Sequence, residues 1–487
     1  MLRRWLIGGA LALCSCSDGT EDRAVDVAVI GTPAELAETG LRLSPPAQQL
    51  RAATAQGLVR LDENGEVIPG IAQSWIVTDD GLSYIFRLRD AEWPDGTPVT
   101  ADQVRRQLLR TIRDLKGTTL GLDLAKVAEV RAMTDRVVEI ELSTPMAQFL
   151  RLVAQPELGL VHDGHSMGPM RRTAGADRLL TLTAMPPQDR GLPEEPNWTE
   201  QVRPLRVSAM PAPRAIAAFG NGQLQVVLGG TFATLPLLDT GPLARGTVRL
   251  DLPVGMFGLD VTPGTGFLSQ PANREAVAMA IDRAALVEPF NIEGWTPATR
   301  IVPPALPGSP RQNAERWTEL DLPARQAIAR GRVQAWQSGQ GEIAPLRIAM
   351  PPGPGSEILL RRIAADLAAI GLRVVPAAAG QRADLTLRDR VARYGQARWF
   401  LNQFNCDVTP RQCAPEADAL VLRANTALDP AIRGALLAQA EDILTARNLF
   451  IPLGTPLRWS LVRSGTAGFT ENAWAMHPLF PLTGAPM

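Results

Sequence analysis

The chain has 487 residues, of which 45% are hydrophobic and 20% are charged, and its net charge is -1. At ~150 residues per domain, this length predicts about three structural units. The globular composition and balanced charge exclude a disordered chain, a polytopic membrane protein and an electrostatic preference for nucleic acid. Three His and four Cys leave little material for catalytic or metal chemistry.

The chain begins with a predicted secretion signal. Two arginines precede an apolar run over residues 5–13, which is too short to span a bilayer as a helix. The run ends in Leu-Cys-Ser-Cys, which resembles the bacterial lipobox, where a cysteine after a small residue is lipidated. Cys16 fits this pattern better than Cys14, because a serine precedes it. We therefore predict a lipoprotein signal peptide over 1–16 and a periplasmic chain anchored by acyl chains on Cys16; a plain signal peptide is the alternative.

The elements of the N-terminal half follow from local patterns. Apolar residues alternate in four predicted strands, and three short segments have helical spacing. An Asn-Gly turn at 64–65 predicts a hairpin, and Thr100 with Gln103 forms a predicted capping box. Two prolines predict extended or turning chain over 42–49, followed by a short helix over 48–54. The predicted strands cover 24–30, 83–89, 136–142 and 205–209, and the helices cover 100–113, 149–153 and 213–220.

The C-terminal half is predicted to mix strands and helices. Residues 346–375 have a strand-helix-strand pattern, with Ser356 as the helix cap and Gly371 at the helix end, which predicts a parallel strand pair. Further helices are predicted over 273–286 and 430–447, and strands over 451–453 and 458–462. These patterns favour an α/β fold, and no sequence repeat of 20–50 residues indicates a solenoid.

Two cysteines remain beyond the signal segment. Cys406 and Cys413 lie close together in the sequence, and in an oxidising compartment such a pair forms a disulfide. Two free thiols are the alternative. Because no Cys-x-x-Cys pattern or nearby His accompanies them, we predict no metal site there.

The most specific pattern lies between residues 57 and 104. Its Pro-Gly, Ser-Trp, Asp-Gly and Thr-Ala elements resemble the signature of family 5 solute-binding proteins of bacterial ABC importers, whose ligands include oligopeptides, dipeptides and nickel. Matches also occur over 274–283, 302–304 and 366–374. The matching residues of the signature are Pro69, Gly70, Ser74, Trp75, Asp80, Gly81, Tyr84, Phe86, Leu88, Arg89, Trp93, Asp95, Gly96, Pro98, Thr100, Ala101 and Val104.

The resemblance implies a two-lobed clam-shell fold of the type II periplasmic binding proteins, with an extra subdomain in the N-terminal lobe. It implies a first lobe over 17–255, an inserted subdomain at about 45–150, a second lobe over 256–454 and a C-terminal return over 455–487. Members of this family close their lobes over a solute and deliver it to a permease.

The resemblance also suggests ligand-binding residues. In the family, a segment corresponding to 398–407 often provides a Trp and an acid that pairs with a peptide amino group. Asp407 is the best match for this acid, with Trp399 and Asn405 as neighbours; a solvated loop is the alternative. A solute carboxylate would suit an arginine fork, but the sequence does not single out one of its many arginines; Arg347 and Arg388 are two that we name without choosing either. By contrast, the aromatic residues Trp75, Tyr84, Phe86 and Trp93 are predicted to be core, and His162 with His165 a loop pair rather than a metal site.

Three functions are compatible with the sequence. The first is a monomeric, lipid-anchored binding protein that passes a peptide or another small solute to the transmembrane subunits of an ABC permease. The second is a sensor or adaptor without transport, because the family's Gly-Thr-Gly-Pro-Tyr motif is reduced to Ser-Met-Gly-Pro-Met over 166–170. The third is a hydrolase, for which we find no catalytic motif. We predict no catalytic residue, metal or cofactor.

Overall fold

The structure is a computed structural model that describes residues 24–174, 179–238, 246–262, 264, 266–304, 306, 313–378 and 380–484. The predicted signal segment with Cys16 lies outside these residues. In the part of the chain that is described, no helix has the length and apolar character needed to cross a membrane.

A seven-stranded sheet forms the centre of the first lobe. Strand β1 (Val25–Ile30) lies between β12 (Leu205–Met210) and β13 (Val226–Thr231) and is parallel to both, while β20 (Arg458–Val462) runs antiparallel to β13. Valines on β1 and β12 are buried in the core beneath this sheet. The strands, in spatial order, are β10 (Met170–Ala174), β11 (Leu180–Ala184), β12 (Leu205–Met210), β1 (Val25–Ile30), β13 (Val226–Thr231), β20 (Arg458–Val462) and β14 (Val248–Asp251); the helices are α1 (Pro33–Leu36), α2 (Pro45–Thr54), α6 (Trp198–Gln201) and α7 (Ala212–Gly220).

The subdomain is built on a four-stranded antiparallel sheet. Alternate residues of its strand over 83–88 face the core, so that Tyr84, Phe86 and Leu88 are buried. The sheet order is β4 (Ala72–Val77), β5 (Ser83–Leu88), β7 (Val137–Leu142) and β6 (Val127–Thr134). Two hairpins, β2 (Val59–Leu61) with β3 (Val67–Pro69) and β8 (Val161–His162) with β9 (His165–Ser166), and helices α3 (Ala101–Asp114), α4 (Thr119–Leu124) and α5 (Phe149–Val153) complete it.

A five-stranded sheet forms the centre of the second lobe. Its strand order is β17 (Val374–Pro376), β16 (Leu346–Ala349), β18 (Leu385–Val391), β15 (Gly255–Val261) and β19 (Phe450–Gly454). The helices are α8 (Pro271–Ala280), α9 (Leu322–Gln340), α10 (Pro354–Ala368), α11 (Ala397–Asn402), α12 (Pro415–Thr426) and α13 (Pro430–Arg447). As predicted, β16 and β17 are parallel neighbours.

The chain crosses between the two large sheets twice. It passes from β14 to β15 between Asp251 and Gly255, and it returns from β19 to β20 between Gly454 and Arg458. Beside the return crossing, Arg458 of the first lobe donates to both carboxylate oxygens of Asp389 in the second lobe, at 2.7 and 2.9 Å.

The two lobes also touch at the start of α10. A Cβ atom at Gly355 would lie 2.2 Å from the carbonyl oxygen of Phe232, which belongs to a 3-10 helix of the first lobe. Glycine is therefore required for the backbones to approach this closely. The predicted cap at Ser356 is wrong, because the helix begins at Pro354, and proline is well suited to the first turn.

Other local predictions have mixed outcomes. The capping box of Thr100 and Gln103 and the hairpin at 64–65 are confirmed. The extended or turning chain predicted over 42–49 is wrong from Pro45 onward, since the two prolines occupy the first turn of α2, where their missing N–H groups are not needed. The helix predicted over 273–286 ends at Ala280, because Ile281 has an extended backbone. The sequence patterns did not reveal α9, which has few buried residues.

Candidate ligand site between the lobes

The predicted ligand residues lie in different environments. Trp399 is 3% exposed and its ring makes an edge contact with Phe400 inside the core. Asp407 is exposed, and its backbone N–H donates to the side-chain oxygen of half-buried Asn405 at 3.0 Å. None of these three side chains lines either of the two cavities described below. Their role in binding stays a prediction.

The loop after these residues is closed by a covalent bond. Cys406 and Cys413 form a disulfide, with their Cα atoms 5.1 Å apart. The backbone N–H of Cys406 also donates to the carboxylate of Asp418 at 2.9 Å. The disulfide and this hydrogen bond hold the loop against the start of α12.

The two arginines suggested for a solute carboxylate already have partners in the protein. Arg388 is buried and donates to Asp260 at 2.8 Å, and the ring of Phe404 lies beneath its guanidinium. Arg347 lies on β16 and forms a longer ion pair with Asp384. Both guanidinium groups are therefore paired with a carboxylate, although Nη1 of Arg388 is buried and has no hydrogen-bond partner among the described residues.

The predicted core aromatics are confirmed where they are buried. Tyr84, Phe86 and Trp93 are at most 4% exposed, and Trp75 packs against the same core while partly exposed.

His162 and His165 face each other across the β8–β9 hairpin. Within the described residues, no group of three or more His, Cys, Asp or Glu side chains is arranged to hold a metal ion.

Helix α11 joins the second lobe to the subdomain. Arg398 is 5% exposed, and its guanidinium donates to the carbonyl oxygens of Leu122 and Asp123 at the end of α4. Carbonyl groups in the last turn of a helix lack partners within the helix, so a buried cation is a suitable donor to them. One core of buried residues continues from the subdomain into the second lobe at this junction.

A buried carboxyl group lies beside this arginine. Asp123 is fully buried, and one of its oxygens accepts hydrogen bonds from Tyr394 and Asn402, both at 2.7 Å. Its other oxygen has no partner among the described residues. Burial raises the pKa of Asp123 to about 6, although the positive charge of Arg398 opposes the shift.

An ion pair also crosses this junction. The guanidinium of Arg393 donates to both oxygens of Glu157, at 2.7 and 2.8 Å, and to Gln155 at 2.9 Å. Burial disfavours the charged arginine, but its interaction with Glu157 outweighs this cost and leaves the pKa of Arg393 above its usual range. This fork-to-fork contact fixes the second lobe against the subdomain.

A cavity of about 500 Å³ opens between the subdomain and the second lobe. This volume is within the range of sites for small molecules. The subdomain provides one wall and helices of the second lobe provide the other; among the lining residues are Tyr84, Lys126, Met146, Leu150, Arg398, Arg433 and Leu437. Asp79 and Asp80 are exposed and lie at its edge. We call this space the interlobe cavity.

Lys126 is the most unusual residue of the interlobe cavity. It is 5% exposed, and its ammonium group donates to the hydroxyl of Thr144, which in turn donates to the carbonyl oxygen of Asn425 at 2.7 Å. Burial, together with the positive charges of Arg398 and Arg433, lowers the pKa of Lys126 to about 7.

A larger cavity of about 1150 Å³ lies elsewhere, between the subdomain and the first-lobe sheet. Its lining residues, which all fall between 39 and 190, include both basic and acidic side chains. No described residue of the second lobe lines it, so movement between the lobes would not open or close its walls directly. We therefore consider the smaller interlobe cavity the better candidate for solute capture.

Sequence reasoning missed the residues that form this site. Asp123, Lys126, Arg393 and Arg433 were not singled out, and Arg398 was noted only as the start of a segment. One signal was available: Lys126 is one of only two lysines among 49 basic residues. The convergence of these groups depends on long-range packing, which no local pattern reports.

Comparison with known proteins identifies the family. The model of the bacterial extracellular solute-binding proteins, family 5, matches residues 66–408. The glutathione-binding protein GsiB of Escherichia coli K12 is 24% identical over 499 residues, covering 92% of this chain and 91% of that protein.

Solved structures agree in fold. OppA of Haemophilus influenzae, in complex with the peptide RPPGFSPFR, has a TM-score of 0.77 and 18% identity, covering 94% of this chain and 99% of that chain. The murein tripeptide binding protein MppA of Escherichia coli has a TM-score of 0.77 and 18% identity, covering 94% and 97%. The fold is therefore that of the two-lobed periplasmic binding proteins. The chain is a binding protein rather than an enzyme, and it belongs to the family 5 solute-binding proteins of ABC importers.

Proposed function

We propose that this chain is the lipid-anchored, extracytoplasmic binding component of an ABC importer. It captures a peptide or a similar small solute between its lobes and delivers it to the transmembrane subunits of a permease. The observation that carries this proposal is the interlobe cavity, whose walls come from the subdomain and from the second lobe. A solute held there contacts both bodies at once, so its binding stabilises the closed arrangement.

The relatives support the class of solute. GsiB is named as a glutathione-binding protein, and the matching OppA structure holds a nonapeptide. Both ligands are peptides, although they differ greatly in length. We therefore propose short peptides, or solutes of similar chemistry, as the ligands of this chain.

Native mass spectrometry of the full-length chain, purified in mild detergent from cell envelopes, tests solute capture. We expect one bound solute per chain, which is then released and identified. Cells that produce the chain should take up the identified solute faster than cells that lack it. A chain that is empty and gives no thermal shift with a peptide library would contradict solute capture and favour the sensor or adaptor function.

The anchor is tested separately. We expect radioactive palmitate to label the chain, and Cys16→Ser to abolish the labelling, while Cys14→Ser retains it. Lipidation on Cys16 places the protein on a cell-envelope membrane without a spanning helix. If Cys16→Ser is secreted and still labelled, the predicted lipidation position is wrong.

The predicted contact of Asp407 with a solute amino group is tested with Asp407→Ala. Because Asp407 is exposed in this structure, the contact requires the loop over 405–413 to face the bound solute. Asp135→Ala, also at an exposed position, is the matched control. Equal affinity of both variants for the released solute would remove Asp407, and with it the roles given to Trp399 and Asn405, from the binding site.

A further inference from the structure

Three cations converge on the interlobe cavity from two parts of the molecule. Lys126 comes from the subdomain, whereas Arg398 and Arg433 come from helices α11 and α13 of the second lobe. Their hydrogen bonds in the described structure go to neutral oxygens: the hydroxyl of Thr144 and backbone carbonyls. No carboxylate of the described residues forms an ion pair with any of the three.

The arginines of the second lobe fall into two groups. Arg274 and Arg283 are buried and, like Arg398, donate to backbone carbonyl oxygens without an ion pair in the described structure. Arg388 pairs with Asp260 and Arg393 with Glu157, each at hydrogen-bond distance. A carboxylate partner stabilises a buried cation, because removal of the charge from water is costly. What distinguishes the cations of the interlobe cavity is that three of them line one space of about 500 Å³, in which a bound anion would supply the partner that they lack.

Lys126 and Arg398 have N–H groups that form no hydrogen bond with the described residues. An ammonium group has three N–H donors, and Lys126 makes one hydrogen bond, to Thr144, among the described residues. The Nε–H group of Arg398 is buried and has no hydrogen-bond partner among them. Both side chains are 5% exposed, so bulk water does not readily satisfy them.

The buried acid Asp123 is not the anionic partner of these cations. Asp123 attracts Arg398 electrostatically, but its bonded oxygen faces Tyr394 and Asn402. The acids that line the cavity, Asp79 and Asp80, are exposed at its edge, and Asp80 accepts hydrogen bonds from Thr78 and the backbone of Leu82. The interior of the cavity therefore remains cationic.

The remaining wall indicates what else the solute contains. Met146, Leu150 and Leu437 line the cavity with apolar surface, next to the ring of Tyr84. An apolar or neutral body fits against these side chains, while a carboxylate fits against the cations. A free inorganic anion would leave the apolar wall without a partner.

We propose that the interlobe cavity binds the carboxylate of a small organic solute, with Lys126 and Arg398 as buried cationic contacts and Arg433 at the side of the second lobe. This inference rests on the proposed capture of a solute between the lobes and specifies the chemical group that is recognised. The carboxylate belongs either to the C-terminus of a short peptide or to an organic acid. Its binding across the two walls draws the second lobe toward the subdomain.

Isothermal titration calorimetry of the full-length chain in mild detergent tests the proposal. The probes are trialanine, its C-terminal amide, glutarate and inorganic phosphate. We expect trialanine or glutarate to bind; preference for trialanine over its amide identifies a peptide C-terminus, and preference for glutarate identifies an organic acid. Phosphate that binds as tightly as either organic probe would overturn the proposal.

Charge-removing variants give the decisive comparison. Lys126→Met and Arg433→Gln should weaken the bound carboxylate probe about 10- to 100-fold, the loss expected for a hydrogen bond to a charged group. Lys116→Met and Arg423→Gln remove exposed cations outside the cavity and should leave the affinity unchanged. If Lys126→Met fails to fold, Arg433→Gln still decides, because Arg433 is only half-buried.

The outcomes separate this inference from the proposed function. Equal affinity of the wild-type chain and both cavity variants would overturn the carboxylate site but leave solute capture intact. Recovery of a co-purified solute without an acidic group would likewise overturn the carboxylate site and leave solute capture intact. A wild-type chain that contains no solute and binds none of the probes would overturn both the site and solute capture.

Discussion

The substitution Asp123→Asn tests how the lobes are held together. Asp123 is fully buried, and its pKa rises from 3.8 to about 6 because burial disfavours the carboxylate. Between these two values, the folded protein keeps the proton while the unfolded chain has lost it. Stability therefore falls as the pH rises from about 4 to about 6 and levels off above the folded pKa.

The size of the effect follows from the shift. A difference of roughly two pKa units corresponds to about 3 kcal/mol, of which ~1.4 kcal/mol is lost between pH 5 and pH 7.5. Asparagine keeps the oxygen that accepts from Tyr394 and Asn402 but does not ionise. Its amide N–H groups have no described partner, and this cost is the same at both pH values.

Urea denaturation at pH 5 and pH 7.5 measures the difference. The unfolding free energy of Asp123→Asn relative to wild type should increase by ~1.4 kcal/mol from the lower to the higher pH. Asp135→Asn, in an exposed turn, is the control and should show no such change. If wild type and Asp123→Asn have the same pH dependence, Asp123 ionises normally in the folded protein and the reasoning from its burial is refuted.

Two further substitutions test the same junction. Glu157→Gln leaves Arg393 without its counter-charge and should lower the unfolding free energy, measured by urea denaturation, by about 3–5 kcal/mol. The control Glu129→Gln breaks an exposed ion pair and should lower the unfolding free energy by less than about 1 kcal/mol. Trp399→Ala removes a buried ring and should lower the unfolding free energy by about 3–5 kcal/mol. The control Leu422→Ala, at a position 67% exposed, should change the unfolding free energy by less than ~0.5 kcal/mol. A Trp399→Ala variant that keeps its stability but loses solute would instead favour the predicted ligand contact.

Much of the fold could be predicted because its signals are local. The capping box at Thr100, the hairpin turn at 64–65 and the alternation over 83–88 each involve residues close in sequence, whose backbone preferences act before any distant contact forms. Local reasoning failed where proline starts a helix, as at Pro45 and Pro354, since the same residue also favours extended chain.

The ligand region shows the limit of local patterns. A role in binding was predicted for Trp399, Asn405 and Asp407, and it stays a prediction; the structure shows that Trp399 is buried in the core and that Asp407 is exposed. Aromatic and acidic residues in this order are compatible with both environments. Which side chain faces a cavity depends on how α11 packs against α4, and this packing is not encoded by any short motif.

The sequence by itself determined the family, the α/β class and most of the local elements, because these depend on residue type and spacing. Only the tertiary structure brought Lys126 together with Arg398 and Arg433, which are about three hundred residues away in the chain. Burial, pKa shifts and the pairing of charges are properties of all the groups that pack around a side chain. They are therefore decided when the subdomain and the second lobe come together, and a linear pattern does not contain them.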